Sequence, residues 1–197
     1  TPLSTSGYAV DGYLSGAAVL CDADRDGLVT AGETSVATTS AGLFVFPDGC
    51  SHPLVVTGGT SIDTGLRFTG TLKSQAGSRM VTPLTTLVVA GLTQAQLNAT
   101  LGLPADTDHL MTDPAATDGA GTLLNPVLMK KTLAVQQLLQ KSSEMLNGLS
   151  TPPDSALLPA IYTEVAIAFA DYLKGGGRLN SSDTALDVVV VGELVRA

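Results

Sequence analysis

The sequence predicts an α+β fold, with a small antiparallel β-sandwich over residues 1–82 and a helical domain packed on it over 83–197. Three observations predict it. Up to Val81-Thr82-Pro83, short β-rich runs alternate with glycine turns. Beyond that point, apolar residues recur at helical spacing between capping signals. Hydrophobic residues make up 44% of the 197-residue chain and charged residues only 14%, a composition that forms a core.

The strand-forming runs are YAVDGYL, AAVLC, TSVATTS, LFVFP, PLVVT and LRFTGTLKS. They are rich in valine, threonine and aromatic residues, which suit a half-buried pleated surface. Turn signals separate them at Ala41-Gly42 and Pro47-Asp48-Gly49. Six or seven short strands in about 80 residues read as a sandwich.

The first helix is expected to start at Thr82, with Pro83 as its first helical residue. TQAQLNATLGL reads as a short helix capped by Thr93 and ended by Gly102. In the third, Asn125 caps, Pro126 opens and Gly148 closes. Its apolar face is Leu128, Val135, Leu138, Leu139, Met145 and Leu146. The fourth carries Leu158, Ile161, Tyr162, Val165, Phe169, Tyr172 and Leu173 on one stripe, and Gly175 to Gly177 end it. These stripes read as bundle core. The tail after Ser182 is ambiguous. Ser182 suits a helix cap and Leu186 a helical face, yet four consecutive valines suit a strand over 187–195, able to add to a neighbour's sheet.

One stretch carries chemistry: Cys21 to Glu33, CDADRDGLVTAGE. Asp22, Asp24 and Asp26 fall at positions 1, 3 and 5 of a twelve-residue loop, with Gly27 at 6, Leu28 at 7, Thr30 at 9 and Glu33 at 12. Calcium is a hard cation that takes six to eight oxygens. Alternate carboxylates on a curling loop converge on one point, glycine allows the sharp turn, the Leu28 carbonyl offers a backbone oxygen, and Glu33 closes the site. The competing reading is an acidic, solvated turn. The flanks are β-like, so the loop is expected to join strands and not the two helices of an EF-hand.

Two cysteines, Cys21 and Cys50, lie 29 positions apart at expected strand ends. A disulfide is the expected state, which implies an oxidising compartment. The alternative is a reactive thiol, since Cys50 is close in sequence to His52. A bridge at Cys21 would tether the first residue of the calcium loop.

The net charge of −8, with ten Lys+Arg and no basic cluster, argues against nucleic acid and anionic membranes as partners. The most apolar runs fall far short of the length of a transmembrane segment, so none is expected. The start TPLSTSGY lacks an initiator Met and a charged leader, as a mature terminus or an excised fragment would. An enzyme is not expected. The two histidines sit in no recognisable motif, and acidic pairs such as Asp106/Asp108 and Asp113/Asp118 read as caps and turns.

The stretch DGYLSGAAVLCDADRDGLVTAGETSVATTSAGLFVFPDG resembles the SdrD B-like and Cna-B-like (prealbumin-like) modules of bacterial surface proteins. Those follow a strand with an acidic loop closed by Gly-Glu, here Gly32-Glu33, and then T-T-x-x-G-x-[FY]-x-F. Thr38, Thr39, Gly42, Phe44 and Phe46 match that strand. The continuation through VTPLTTL (Val81 to Leu87), LGLP (Leu101 to Pro104) and TDP (Thr112 to Pro114) is similar to segments of large bacterial repeat adhesins and secreted matrix proteins. The likeness covers about residues 8–150; the cysteine pair within it is not part of the usual pattern of such modules. It implies an extracellular, calcium-stabilised structural module: an adhesin module, or a self-associating fibre subunit of a cell surface or biofilm matrix. It also makes Asp63 a weaker metal candidate, because such modules often carry a further acidic residue there. The alternative function is a ligand-binding module for a glycan, peptide or small molecule, housed between strands and helices.

Overall fold

The computed structural model describes residues 4–28, 30, 32–182 and 185–186. In chain order the strands are β1 (Thr5–Ala9), β2 (Leu14–Ser15), β3 (Ala18–Cys21), β4 (Thr34–Ala37), β5 (Leu43–Phe46), β6 (Leu54–Thr57), β7 (Thr60–Ser61), β8 (Thr71–Ser74) and β9 (Met80–Val81). Helices α1 (Pro83–Val89), α2 (Gln94–Leu101), α3 (Pro126–Gly148) and α4 (Leu158–Lys174) follow, and then the short hairpin β10 (Asn180–Ser182) and β11 (Ala185–Leu186). The mixed α+β class is therefore as expected.

The largest sheet is antiparallel, in the order β4-β3-β6-β8. Its register aligns Val19, Val56 and Leu72 in one row and Leu20, Val55 and Lys73 in the next. Successive strand residues point to opposite faces. The first row enters the main apolar cluster; the second lines a groove whose other wall is α4. In a second sheet, β5 pairs antiparallel with β1, whereas β9 runs parallel to β1. That parallel pair departs from the purely antiparallel expectation. Gly7 permits it: a Cβ there would collide with the Arg79 carbonyl, whose oxygen accepts from the Tyr8 N–H at 2.9 Å.

The helices begin where the sequence signals put them. The Thr82 hydroxyl accepts from the N–H groups of Leu84 and Thr85, both at 3.1 Å. Thr93 caps α2, and Gly102 ends it with a left-handed φ of 66°. Asn125 is a correction: it precedes α3 without a side-chain cap and instead donates to the Asp113 carbonyl. Pro126 has no N–H to be capped, which lowers the cost of that choice. Met145 is another, 41% exposed, since the apolar stripe of α3 is narrower at its C-terminal end than expected.

One buried cluster draws on both sheets and on α1, α3 and α4, including Phe44, Phe46, Leu84, Leu87, Val135, Leu139, Val165 and Phe169. Ser155–Lys174 is long and apolar enough to cross a membrane by length and composition, which expectations from continuous apolar runs had missed. Its apolar character has an account within this fold, because Tyr162, Val165, Phe169 and Leu173 are buried in that cluster.

Ser182 and Leu186 lie in paired strands, not in a helix that starts at Ser182. Asparagine, serine and threonine are weak helix formers, and nothing in that run offsets them. The suggested strand over 187–195 lies outside the described residues.

Candidate metal centre

The acidic loop leaves the C-terminal end of β3 and returns to β4, so it spans two neighbouring strands of the largest sheet. Cys21 and Cys50 are disulfide-bonded with a Cα–Cα distance of 5.9 Å, inside the normal range. The Cys50 backbone is held by Thr5: its N–H donates to Thr5 Oγ1 at 2.9 Å. The Asp22 N–H donates to the Pro53 carbonyl at 3.0 Å. The first residue of the loop is thus pinned to its neighbours before any ligand arrives. In the chain-entropy picture a bridge of this span contributes about 3–4 kcal/mol.

Asp22, Asp24 and Glu33 each present a carboxylate oxygen within 4.8 Å of the other two. The loop's own amides fold it into this shape. Gly27 N–H donates to Asp22 Oδ2 (3.1 Å), Asp26 N–H to Asp24 Oδ1 (3.2 Å), and Leu28 N–H to Asp26 Oδ1 (2.7 Å). Glu33 closes the ring: Oε1 accepts from Ala23 N–H at 2.7 Å and Oε2 from Thr30 N–H at 3.1 Å. Thr30 also donates its hydroxyl to Asp24 Oδ2 at 3.1 Å. The turn is tight enough to hold Arg25 at a φ of 64°, an uncommon conformation for a side-chain-bearing residue.

The Lys73 ammonium lies against Gly27 of the loop, but among the described residues no Lys or Arg lies within ion-pair distance of the three carboxylates. Asp22 is only 4% exposed, and its Oδ1 is buried with no hydrogen-bond partner. Burial, aided by the charges of Glu33 and Asp24, pushes its carboxyl above the usual range. Glu33 is held below its usual range, chiefly by the Thr30 amide. A buried carboxylate oxygen without a donor costs free energy. A cation among the three carboxylates would remove that cost. The donor set is all oxygen and anionic, which fits a hard divalent ion such as calcium.

The remaining expected ligands divide. Thr30 is in the ring through its hydroxyl and its amide. Asp26 is exposed, and its carboxylate serves the Leu28 amide. Leu28 was expected to offer its backbone carbonyl, on which its side chain has no bearing; that side chain is 66% exposed and lines the groove beside α4. Asp63 falls outside the group of three; its carboxylate lies against Gly12, beside Asp11, so it is not carried into this centre. The spacing of the motif could not reveal that destination, because it is set by the pairing of β2 with β7.

The alternative reading from the sequence, a binding site between strands and helices, has a counterpart here: a groove between the largest sheet and α4. It holds about 440 Å³ between Leu20, Val55 and Lys73 of the sheet, Pro159, Ala160 and Thr163 of α4, and Asp26 to Leu28 of the loop. The continuous apolar runs of β3 and β6, AVLC and LVVT, carried a signal, since apolar residues on both faces imply a second covering layer. No family model, curated protein or solved structure matches the chain.

Proposed function

We propose that this protein is a calcium-stabilised structural module of a bacterial cell surface or extracellular matrix. The observation that carries the reading is the convergence of Asp22, Asp24 and Glu33, with one Asp22 oxygen buried and unpartnered. The disulfide at the preceding residue supports a non-reducing setting. In this reading the two larger sheets form a small sandwich of the SdrD B-like or Cna-B-like kind, and calcium fixes the corner where β3 leaves the sheet. The cation acts by mass action on the folded state. The module works by holding shape and by association with copies of itself or with a surface partner.

The acidic residues around the α2–α3 connection are used in turns: Asp108, Asp113 and Asp118 each accept from nearby backbone amides. A second reading, a ligand-binding module, is favoured by one feature: the groove beside the loop, where Lys73 and Glu164 add charge to an apolar lining.

The test is thermal unfolding of wild type and Asp24→Ala, in millimolar calcium and in chelator. Wild type should gain several degrees with calcium, and the variant should melt near the chelated wild type in both conditions. Equal destabilisation of the variant with and without calcium would sink the metal site.

A further inference from the structure

Asp11, half-buried just after β1, sits where three elements meet. Its Oδ2 accepts from Gln136 Nε2 on α3 at 3.0 Å. Gln136 is fully buried, and its Oε1 accepts from the Tyr162 hydroxyl on α4. The same Gln136 amide donates to Gln140 Oε1 at 3.2 Å. One carboxyl thus ends a hydrogen-bond chain that runs from the β1–β2 turn into both long helices. Asp63, just past β7, reaches the same place: a Cβ added at Gly12 would collide with its carboxylate. Both carboxyl groups open onto a cleft of about 240 Å³, walled also by Gln137 and Gln140.

The charged and titratable groups around Asp11 are few. Tyr13, on its own turn, donates to Asp113 Oδ2 at 2.7 Å. Asp63 and Arg67 come from the β7 side, Lys141 from α3 and Tyr162 from α4. Lys141 is taken by Glu144 at 2.7 Å. Among the described residues, no ion pair reaches Asp11 or Asp63. Asp11 is partly withdrawn from solvent while Asp63 is exposed at the rim of the cleft, and a carboxyl so placed resists ionising beside a like charge. Burial, and then the charge of Asp63, raise the Asp11 carboxyl to about 7.

We propose that Asp11 and Asp63 form a proton-operated latch between the β-rich half and the α3–α4 pair, closed while Asp11 holds a proton and loosened when the proton leaves. In the closed form the neutral carboxyl still accepts from Gln136 and sets no second charge against Asp63. In the open form the Gln136–Tyr162 chain ends on a carboxylate that its neighbour repels. The sign follows from linkage. The folded-state carboxyl binds its proton more tightly than the unfolded one, so the stabilisation is complete at acid pH. It is lost as pH rises through about 7.

The experiment compares wild type with Asp11→Asn by denaturant unfolding from about pH 5 to about pH 8. Asparagine keeps an acceptor for Gln136 and cannot ionise, and the contributions of titrating groups not coupled to Asp11 cancel in the difference, which then reports the Asp11–Asp63 pair. The wild-type folding constant should fall roughly ten- to hundredfold relative to the variant across this range. Carbon-13 NMR of the wild-type chain reads the same event independently of any variant. The Asp11 carboxyl should titrate near neutrality, and Asp63→Asn should lower its midpoint. A flat stability difference, or an Asp11 midpoint in the ordinary carboxylate range, would overturn the latch.

Discussion

At the scale of single residues, His109 shows how a buried polar pair sets a pH response. Its ring is 2% exposed, with Nε2 2.6 Å from Asn98 Oδ1. The Asn98 amide group donates to the carbonyls of Ala105 and Thr107, so its oxygen is the end that faces the ring. The histidine must therefore be the neutral Nε2–H tautomer, which leaves Nδ1 buried without a partner. Burial lowers its pKa to about 4, against a smaller opposing pull from Asp108. Protonation then favours the unfolded chain, where an ordinary histidine takes up its proton near pH 6.5. Stability should fall as pH drops from about 6.5 to about 4 and level off below, by about 3 kcal/mol in all. NMR titration of the His109 ring checks this: the ring should stay neutral until close to the acid end. A midpoint near 6.5 would contradict it.

At the scale of elements, α1 does more than its capping signals announce. Lys73 lies on β8, the edge strand of the largest sheet. The Lys73 N–H donates to Thr86 Oγ1 at 2.9 Å, and the Lys73 carbonyl accepts from Thr85 Oγ1 at 2.8 Å. Two threonines of one helix thus satisfy both backbone groups of an edge residue and keep the edge from pairing further. Thr86→Val keeps the shape and removes the acceptor. It should cost about 1–3 kcal/mol in denaturant unfolding, because a part-buried N–H is left unpaired. Thr86→Ser should restore most of the loss; equal losses for both variants would mean packing, not the hydroxyl, is responsible. The start of α1 was legible in the sequence, because Thr82 and Pro83 act on their immediate neighbours. The acidic loop was legible for the same reason: its ring closes within twelve residues. What was not legible is non-local. The partner of Thr86 lies thirteen positions upstream, the parallel β1–β9 pair joins residues more than seventy apart, and Asp63 was drawn away from the loop by β2–β7 pairing.

At the scale of the whole molecule, the acidic loop borders a surface groove. The candidate metal centre and the groove share a wall, since Asp26, Gly27 and Leu28 line the groove directly after two of the carboxylates. Fixing the loop also fixes Leu28, an exposed apolar side chain at the groove's rim. The opposite wall is α4, which is packed into the main core and cannot adjust cheaply. A cation bound by Asp22, Asp24 and Glu33 therefore acts on the shape of the groove mouth as well as on the stability of β3. If the module works by association with its own copies, that association should depend on calcium. Light scattering on the purified chain in millimolar calcium should show large particles that disperse on chelation. Asp24→Ala should stay dispersed in both conditions, because the loop cannot be set. A wild-type chain that remains monomeric at high concentration in calcium would exclude self-assembly. The groove would then be read as a site for a different ligand, whose affinity should still fall when calcium is removed.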